Sequence, residues 1–226
     1  VSSAPASASA SLDPALVERP TLTCGEDRTF PPEALGGLGA AELGIDSAAG
    51  ALREFLEFSR SGGDTFFPPS GWHRVIDSPD AVAFVAPVPR DPGWVQIAFA
   101  PAGGEWQPEL WGACNLTIAL PPGIGIAPWW IDPASPPDAG STSIQAFVLE
   151  RECASGRSAE GRILTPVVVY GSDAIVITTA VERIPGDNDC QGNPPTAYRI
   201  ELVEPIGARV LLDGGSVPPR PPTPPD

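Results

Sequence analysis

The chain has 226 residues, enough to bury a substantial core as one large domain or two small ones, and we expect two. Its formal net charge of −15 opposes approach to phosphates, which excludes nucleic acid and anionic lipid as natural partners. All 13 basic side chains are arginines, a pattern that reads as codon usage in a GC-rich genome and carries no functional weight.

No methionine occurs, so residue 1 is expected to follow processing, with a signal peptide or a lipid tether upstream of it. Residues 1–19 open with a run of Ser and Ala that is too polar to pack, and they are expected to form a flexible leash. No stretch approaches the ~18 apolar residues of a transmembrane segment. The four cysteines, Cys24, Cys114, Cys153 and Cys190, are far apart, with no C-x-x-C pair to suggest zinc or a redox dithiol. Disulfides fit this spacing better than reduced cytosolic thiols. Of the three possible pairings, Cys24–Cys114 and Cys153–Cys190 are expected, each closing within or at the edge of one expected domain, and each bridge would contribute ~2–4 kcal/mol.

In chain order, the prolines and glycines at Pro20, Pro31, Pro32, Gly36 and Gly37 predict an irregular lead-in. Asp46 or Ser47 caps a helix running to about Arg60, with Leu52, Phe55, Leu56 and Ser59 on one side and Gly62-Gly63 as its stop. Short β patterns follow at "WHRVI", "AVAFVA", "WVQIAFA" and "EWQPELWGAC", punctuated by Pro79-Asp80, by residues 87–92 and by Gly103-Gly104. One helix across an antiparallel sheet gives a small α+β layer over residues 20–113. The fold expected is therefore mainly β with one helix, the α+β layer being followed by an antiparallel β-sandwich.

That sandwich is expected over residues 114–215, entered through a proline-rich connector at 121–142. Its strands are "STSIQAFVLERE", "RILTPVVVY", "AIVITTAVER", "TAYRIELVE" and "ARVLL", with Tyr198, Ile200 and Leu202 sharing one face. Residues 174–181 are apolar on both faces, as expected under two covering layers. Residues 216–226 are polyproline and should be extended and mobile.

The runs "CASGRSAEGRI", "PVVVYGSDAIVITTAVERIPG" and "CQGNPPTAYRIELVEPIGARVLLDGG" resemble small secreted proteins and lipoproteins of high-GC Gram-positive bacteria that carry no assigned function. Less distinctively, "GWVQIAFA", "WGAC" and "PWWIDP" extend the resemblance to residues 21–215. It implies an envelope or extracellular location and brings no catalytic residue with it.

Asp187, Asp189 and Gln191, followed by Gly192, imitate the first half of a calcium loop. Its twelfth position is Tyr198 rather than a bidentate glutamate, so a plain acidic turn beside Cys190 is the simpler reading, and no cofactor is expected. Trp129 and Trp130, with Asp132 close by, could stack on a sugar, or could instead plug one end of the sandwich. Trp72, Trp94, Trp106 and Trp111 read as core and sheet-edge packing. His73 is the chain's one histidine and has no nucleophile elbow around it, so neither a triad nor a histidine zinc site is expected. Glu150 and Glu152 would share a strand face, with Asp132 and Asp138 flanking the tryptophans, yet spacing alone cannot select a glycosidase pair among 28 acids.

The functional expectation is an exported or surface-tethered, non-enzymatic binding or structural protein, extracellular or on the cell surface, whose partner is a cell-surface protein or a glycan. The protein reading requires a long edge strand or an exposed apolar patch. The glycan reading, with or without hydrolysis, requires both Trp129 and Trp130 to line a groove.

Overall fold

The computed structural model describes residues 10–25, 28–37, 39–88 and 93–224; the first nine residues of the expected leash lie outside them. A short helix, α1 (Pro14–Glu18), precedes β1 (Leu22–Thr23), β2 (Thr29–Phe30), α2 (Ser47–Ser61), β3 (His73–Asp77), β4 (Val82–Pro87), β5 (Trp94–Ala102), β6 (Glu105–Cys114) and β7 (Thr117–Ile118). Then come β8 (Ile124–Ile126), β9 (Trp129–Ile131), β10 (Ser143–Val148), β11 (Val167–Tyr170), β12 (Ala174–Thr178), β13 (Ala180–Glu182), β14 (Thr196–Glu201) and β15 (Val210–Asp213). They divide into an N-terminal unit, residues 20–119, and a C-terminal unit that joins residues 120–224 to residues 10–19. The Cys24–Cys114 and Cys153–Cys190 bridges each close within one unit. No helix among the described residues is long and apolar enough to cross a membrane.

In the N-terminal unit α2 lies against an antiparallel sheet of order β3-β4-β5-β6. Asp46 caps the helix as its side chain accepts the Ala49 N–H at 3.0 Å, and that bond, with Arg74 beside it, holds the carboxyl below its ordinary range. The helix stops where Gly62 donates back to the Phe58 carbonyl and Gly63 turns the chain at φ +84°, a conformation that favours glycine. Its Ala48, Leu52 and Leu56 face Trp72, Val82, Phe84, Ile97 and Phe99 in one core. Each large side chain there contributes ~1.5–3 kcal/mol by leaving water. Beyond the Cys114 bridge the chain stays with this unit, because β7 pairs with β1 in a small β2-β1-β7 sheet and buries Ile118 against Leu22 and its neighbours. The boundary expected between residues 113 and 114 thus falls six residues later, between residues 119 and 120.

In the C-terminal unit the sheets β14-β10-β9 and β11-β12-β15 share one core. Alternation on β10 turns Ile144, Ala146 and Val148 inward, where Ile175 and Ile177 of β12 and Ile200 of β14 meet them. The strands pair antiparallel except β12 with β15, which run parallel. The apolar run expected as one strand over 174–181 breaks at Thr179, whose hydroxyl donates to the Ala127 carbonyl, and β13 then pairs with β8.

Two segments read as loose are fastened here. Residues 10–12 bridge Thr165 in parallel, with Leu12 N–H on the Thr165 carbonyl at 3.1 Å, and Leu12 is buried with Leu164, Val167 and Ala180. Leu12, with Leu16 and Val17 packed beside it, therefore anchors a stretch whose composition reads as leash. The proline-rich C-terminal stretch, expected to be mobile, is likewise pinned at Arg220, whose backbone exchanges hydrogen bonds with Asp213 at 2.7 and 3.3 Å.

Candidate functional site

The residues singled out in the sequence do not converge. Trp129 is fully buried in the C-terminal core and its indole N–H donates to the Ile177 carbonyl at 3.1 Å. Trp130 stays half-buried on the opposite face of β9, its ring 5.8 Å from Phe147. Adjacent strand residues point to opposite faces, so the two rings cannot line one groove. Asp132 is occupied in closing the turn after β9, its carboxylate accepting the Ala134 N–H at 2.9 Å. Asp187, Asp189 and Gln191 sit exposed in the loop tied down by Cys190. The Asp189 backbone is bonded to Ser155 through both its N–H and its carbonyl. Among the described residues no group of three His, Cys, Asp or Glu side chains could hold a metal ion.

The Glu150–Glu152 pair is also not as expected. Strand β10 ends at Val148, and both acids belong to the loop that follows it. Glu150 is buried, with Arg162 Nη1 2.9 Å from one oxygen and Nη2 2.5 Å from the other, while Glu152 pairs with Arg183 at 2.9 Å. A carboxylate engaged on both oxygens by one guanidinium is held in a single orientation with neither oxygen left free, which suits a structural lock. Above it opens a shallow cleft of about 970 Å³, lined by Arg157, Arg162, Arg183, Glu160 and Glu182 among others. Arg162 also donates to the carbonyls of Ser158 and Glu182, and Asn193 donates to those of Glu150 and Glu152. These bonds fasten the two irregular loops that the Cys153–Cys190 bridge also joins.

His73 starts β3 half-buried, its ring 6.3 Å from that of Trp94. Burial pushes its imidazole below the ordinary histidine range, opposed by the nearby Glu42 carboxylate. Glu42, itself buried, accepts the N–H groups of Gly71 and Trp72 at 3.3 and 3.2 Å, pinning the chain that leads into β3.

What the fold does assemble is an aromatic face on the N-terminal unit. Trp111 on β6 pairs with Ile97 of β5, so it lies on the helix side of the sheet, where its ring stands 5.8 Å from Phe55 of α2. Phe55 meets Phe67 at 5.4 Å, and Phe67 meets Phe66 at 5.0 Å, both edge to face. The row is uncovered at both ends, with Trp111 53 % and Phe66 46 % exposed, and Phe58, one helical turn beyond Phe55, is 78 % exposed. Edge-to-face rings fix one another in place and leave large apolar surface in water. Single exposed hydrophobics are ordinary, but a connected row of aromatics is a mark of an interaction surface.

The row borders β6, a ten-residue edge strand of the four-stranded sheet. Pro108 sits mid-strand, where an edge tolerates it, and the register slips beside it between Ala98 and Phe99. Glu109 is the extra residue and pairs with Arg28. Bulge, proline and charge blunt this edge against strand addition, so the aromatic side chains rather than the backbone are what β6 offers. Trp111 was legible only as edge packing; the mid-strand Pro108 marked the edge, and the place of Phe58 off the 48-52-56 stripe marked an exposed helical aromatic. Comparison of the chain with protein families, with curated proteins and with solved structures finds no match.

Proposed function

We propose that this chain is an exported or surface-tethered, non-enzymatic binding protein that engages a protein partner through the aromatic face of its N-terminal unit. The observation that carries the reading is the connected row Trp111, Phe55, Phe67 and Phe66, open at both ends beside a blunted edge strand. Rigid aromatic rings supply contact area at low entropic cost, which is why they recur as binding anchors. Two disulfides support an oxidising location outside the cytosol. The glycan reading loses its basis with Trp129 in the core, since it needed both adjacent rings.

The test is retention of the labelled protein on envelope preparations from the producing cells. The expected result is saturable binding that is lost after protease treatment of the envelope, is unaffected by cell-wall oligosaccharides, and falls about tenfold or more in Trp111→Ala. Binding that resists protease and is competed by saccharide would replace the protein partner with a glycan. Unchanged binding by Trp111→Ala would remove the face from the account.

A further inference from the structure

The chemistry of the face points to the kind of segment it takes, an inference that rests on its being a recognition surface. Between residues 54 and 66 the chain carries three carboxylates, Glu54, Glu57 and Asp64, against Arg60 alone. Glu54 lies one helical turn before Phe58, and Asp64 accepts the Phe66 N–H at 2.7 Å, so negative charge borders two of the three exposed rings, Phe58 and Phe66. A row of aromatics spaced 5.0 to 5.8 Å apart and flanked by acids suits an extended, apolar segment with a positive charge. Proline-rich segments are the leading ligands of aromatic-lined grooves because they are already extended before they bind.

Such a segment is present in this same chain. Within residues 216–224 the sequence "SVPPRPPTP" has Arg220 as its one charged side chain, and Pro218, Pro219, Pro221, Pro222 and Pro224 around it. Its backbone is held at Arg220 by the bridge to Asp213, while the side chains of Arg220, Pro221, Thr223 and Pro224 are exposed. In a polyproline helix of three residues per turn, Pro221 and Pro224 stand on one edge, ~9 Å apart. That spacing is on the scale of two steps along the ring row. An anchored root and proline-fixed dihedrals leave little entropy to be lost on docking.

We propose that the aromatic face takes a proline-rich, arginine-bearing extended segment, and that its occupant is residues 220–224 of a second copy of this chain. The contact is head-to-tail: the patch and the segment are different surfaces, so each copy offers one of each and association closes into a ring or grows as a chain.

The experiment compares the full chain, a chain ending at Arg220 and the Trp111→Ala variant by sedimentation velocity over a concentration series. In parallel, a synthetic peptide of residues 216–226 is titrated into the shortened chain and followed by the indole N–H signals in NMR. The expected result is a mass that rises with concentration for the full chain only, association weakened about tenfold by Trp111→Ala, and peptide binding that moves the Trp111 signal. Trp111→Phe should recover part of the association, and an unchanged far-ultraviolet circular dichroism spectrum with a cooperative unfolding transition in Trp111→Ala shows that its fold is intact.

A full chain that stays monomeric throughout overturns the proposal, even if the peptide binds, since the segment would then not be taken by a second copy. A peptide that does not bind, alongside envelope binding that still depends on Trp111, overturns this inference and leaves the partner-binding reading standing. Insensitivity of both assays to Trp111→Ala overturns both.

Discussion

Substituting Asp213 by Asn should reverse part of the protein's dependence on pH. Asp213 ends β15 only 4 % exposed, its carboxylate accepting the Gly215 N–H at 2.9 Å. Close by is Thr178, whose buried hydroxyl finds no partner among the described residues and lies where a side chain on Gly214 would clash. Burial pushes the acid up to about 6 from 3.8, against the Gly215 bond and the charge of Arg220, both of which favour ionisation. A raised value means that the folded chain holds the proton more tightly than the unfolded chain. The stability this supplies is fully present below pH ~3.8 and is lost as pH rises through ~6, a swing of ~3 kcal/mol at about 1.4 kcal/mol per unit. Asn keeps an oxygen for the Gly215 N–H and carries no charge at any pH. Urea unfolding at each pH from 4 to 8 should show the variant gaining on the parent by ~2.4 kcal/mol between the two ends, since part of the swing already lies below pH 4, and nearly all of that gain should fall between pH 4 and 6.5. The subtraction cancels groups common to both proteins. Parallel curves, or an advantage for the variant that shrinks as pH rises, would refute the reasoning.

Three other sets of substitutions test structural roles. Trp129→Ala should cost ~3–5 kcal/mol by emptying a core site, and Trp130→Ala markedly less, with both measured by denaturant midpoint. Removing Glu150 alone should cost ~3–5 kcal/mol because Arg162 is left charged and only 19 % exposed, whereas replacing both by apolar residues should cost less than the single change; a double-mutant cycle reads the coupling. Opening the Cys153–Cys190 bridge with two alanines should destabilise the C-terminal unit by ~2–4 kcal/mol, since 37 positions separate the two cysteines, and hydrogen exchange should show the loss there rather than in the N-terminal unit.

Local rules made much of the fold legible. The helix from Ser47 was readable because Asp46, the spacing of Leu52, Phe55, Leu56 and Ser59, and Gly62-Gly63 all mark it in one short window. The antiparallel β3-β4-β5-β6 sheet was readable because Pro79-Asp80 and Gly103-Gly104 punctuate alternating runs. What escaped depends on contacts between distant positions: Leu12 against Leu164 and Val167, the return of β7 to β1, and the parallel pairing of β15 with β12. The candidate site escaped for a similar reason. Adjacent tryptophans at 129 and 130 draw the eye, but their alternation on a strand separates them, whereas Trp111, Phe55, Phe67 and Phe66 come from β6, α2 and the loop after it, and only the fold makes them a row.

The most direct test of the aromatic face is oxidative footprinting of the six tryptophans by mass spectrometry, with the protein free and bound to the protease-sensitive envelope fraction. Trp72 and Trp129, both fully buried, serve as internal controls and should stay unreactive in each state. The account predicts that Trp111 reacts in the free protein at concentrations where it is monomeric and is protected on binding while Trp130 is unchanged. Protection of Trp130 with Trp111 still reactive would contradict it and move the binding site to the C-terminal unit.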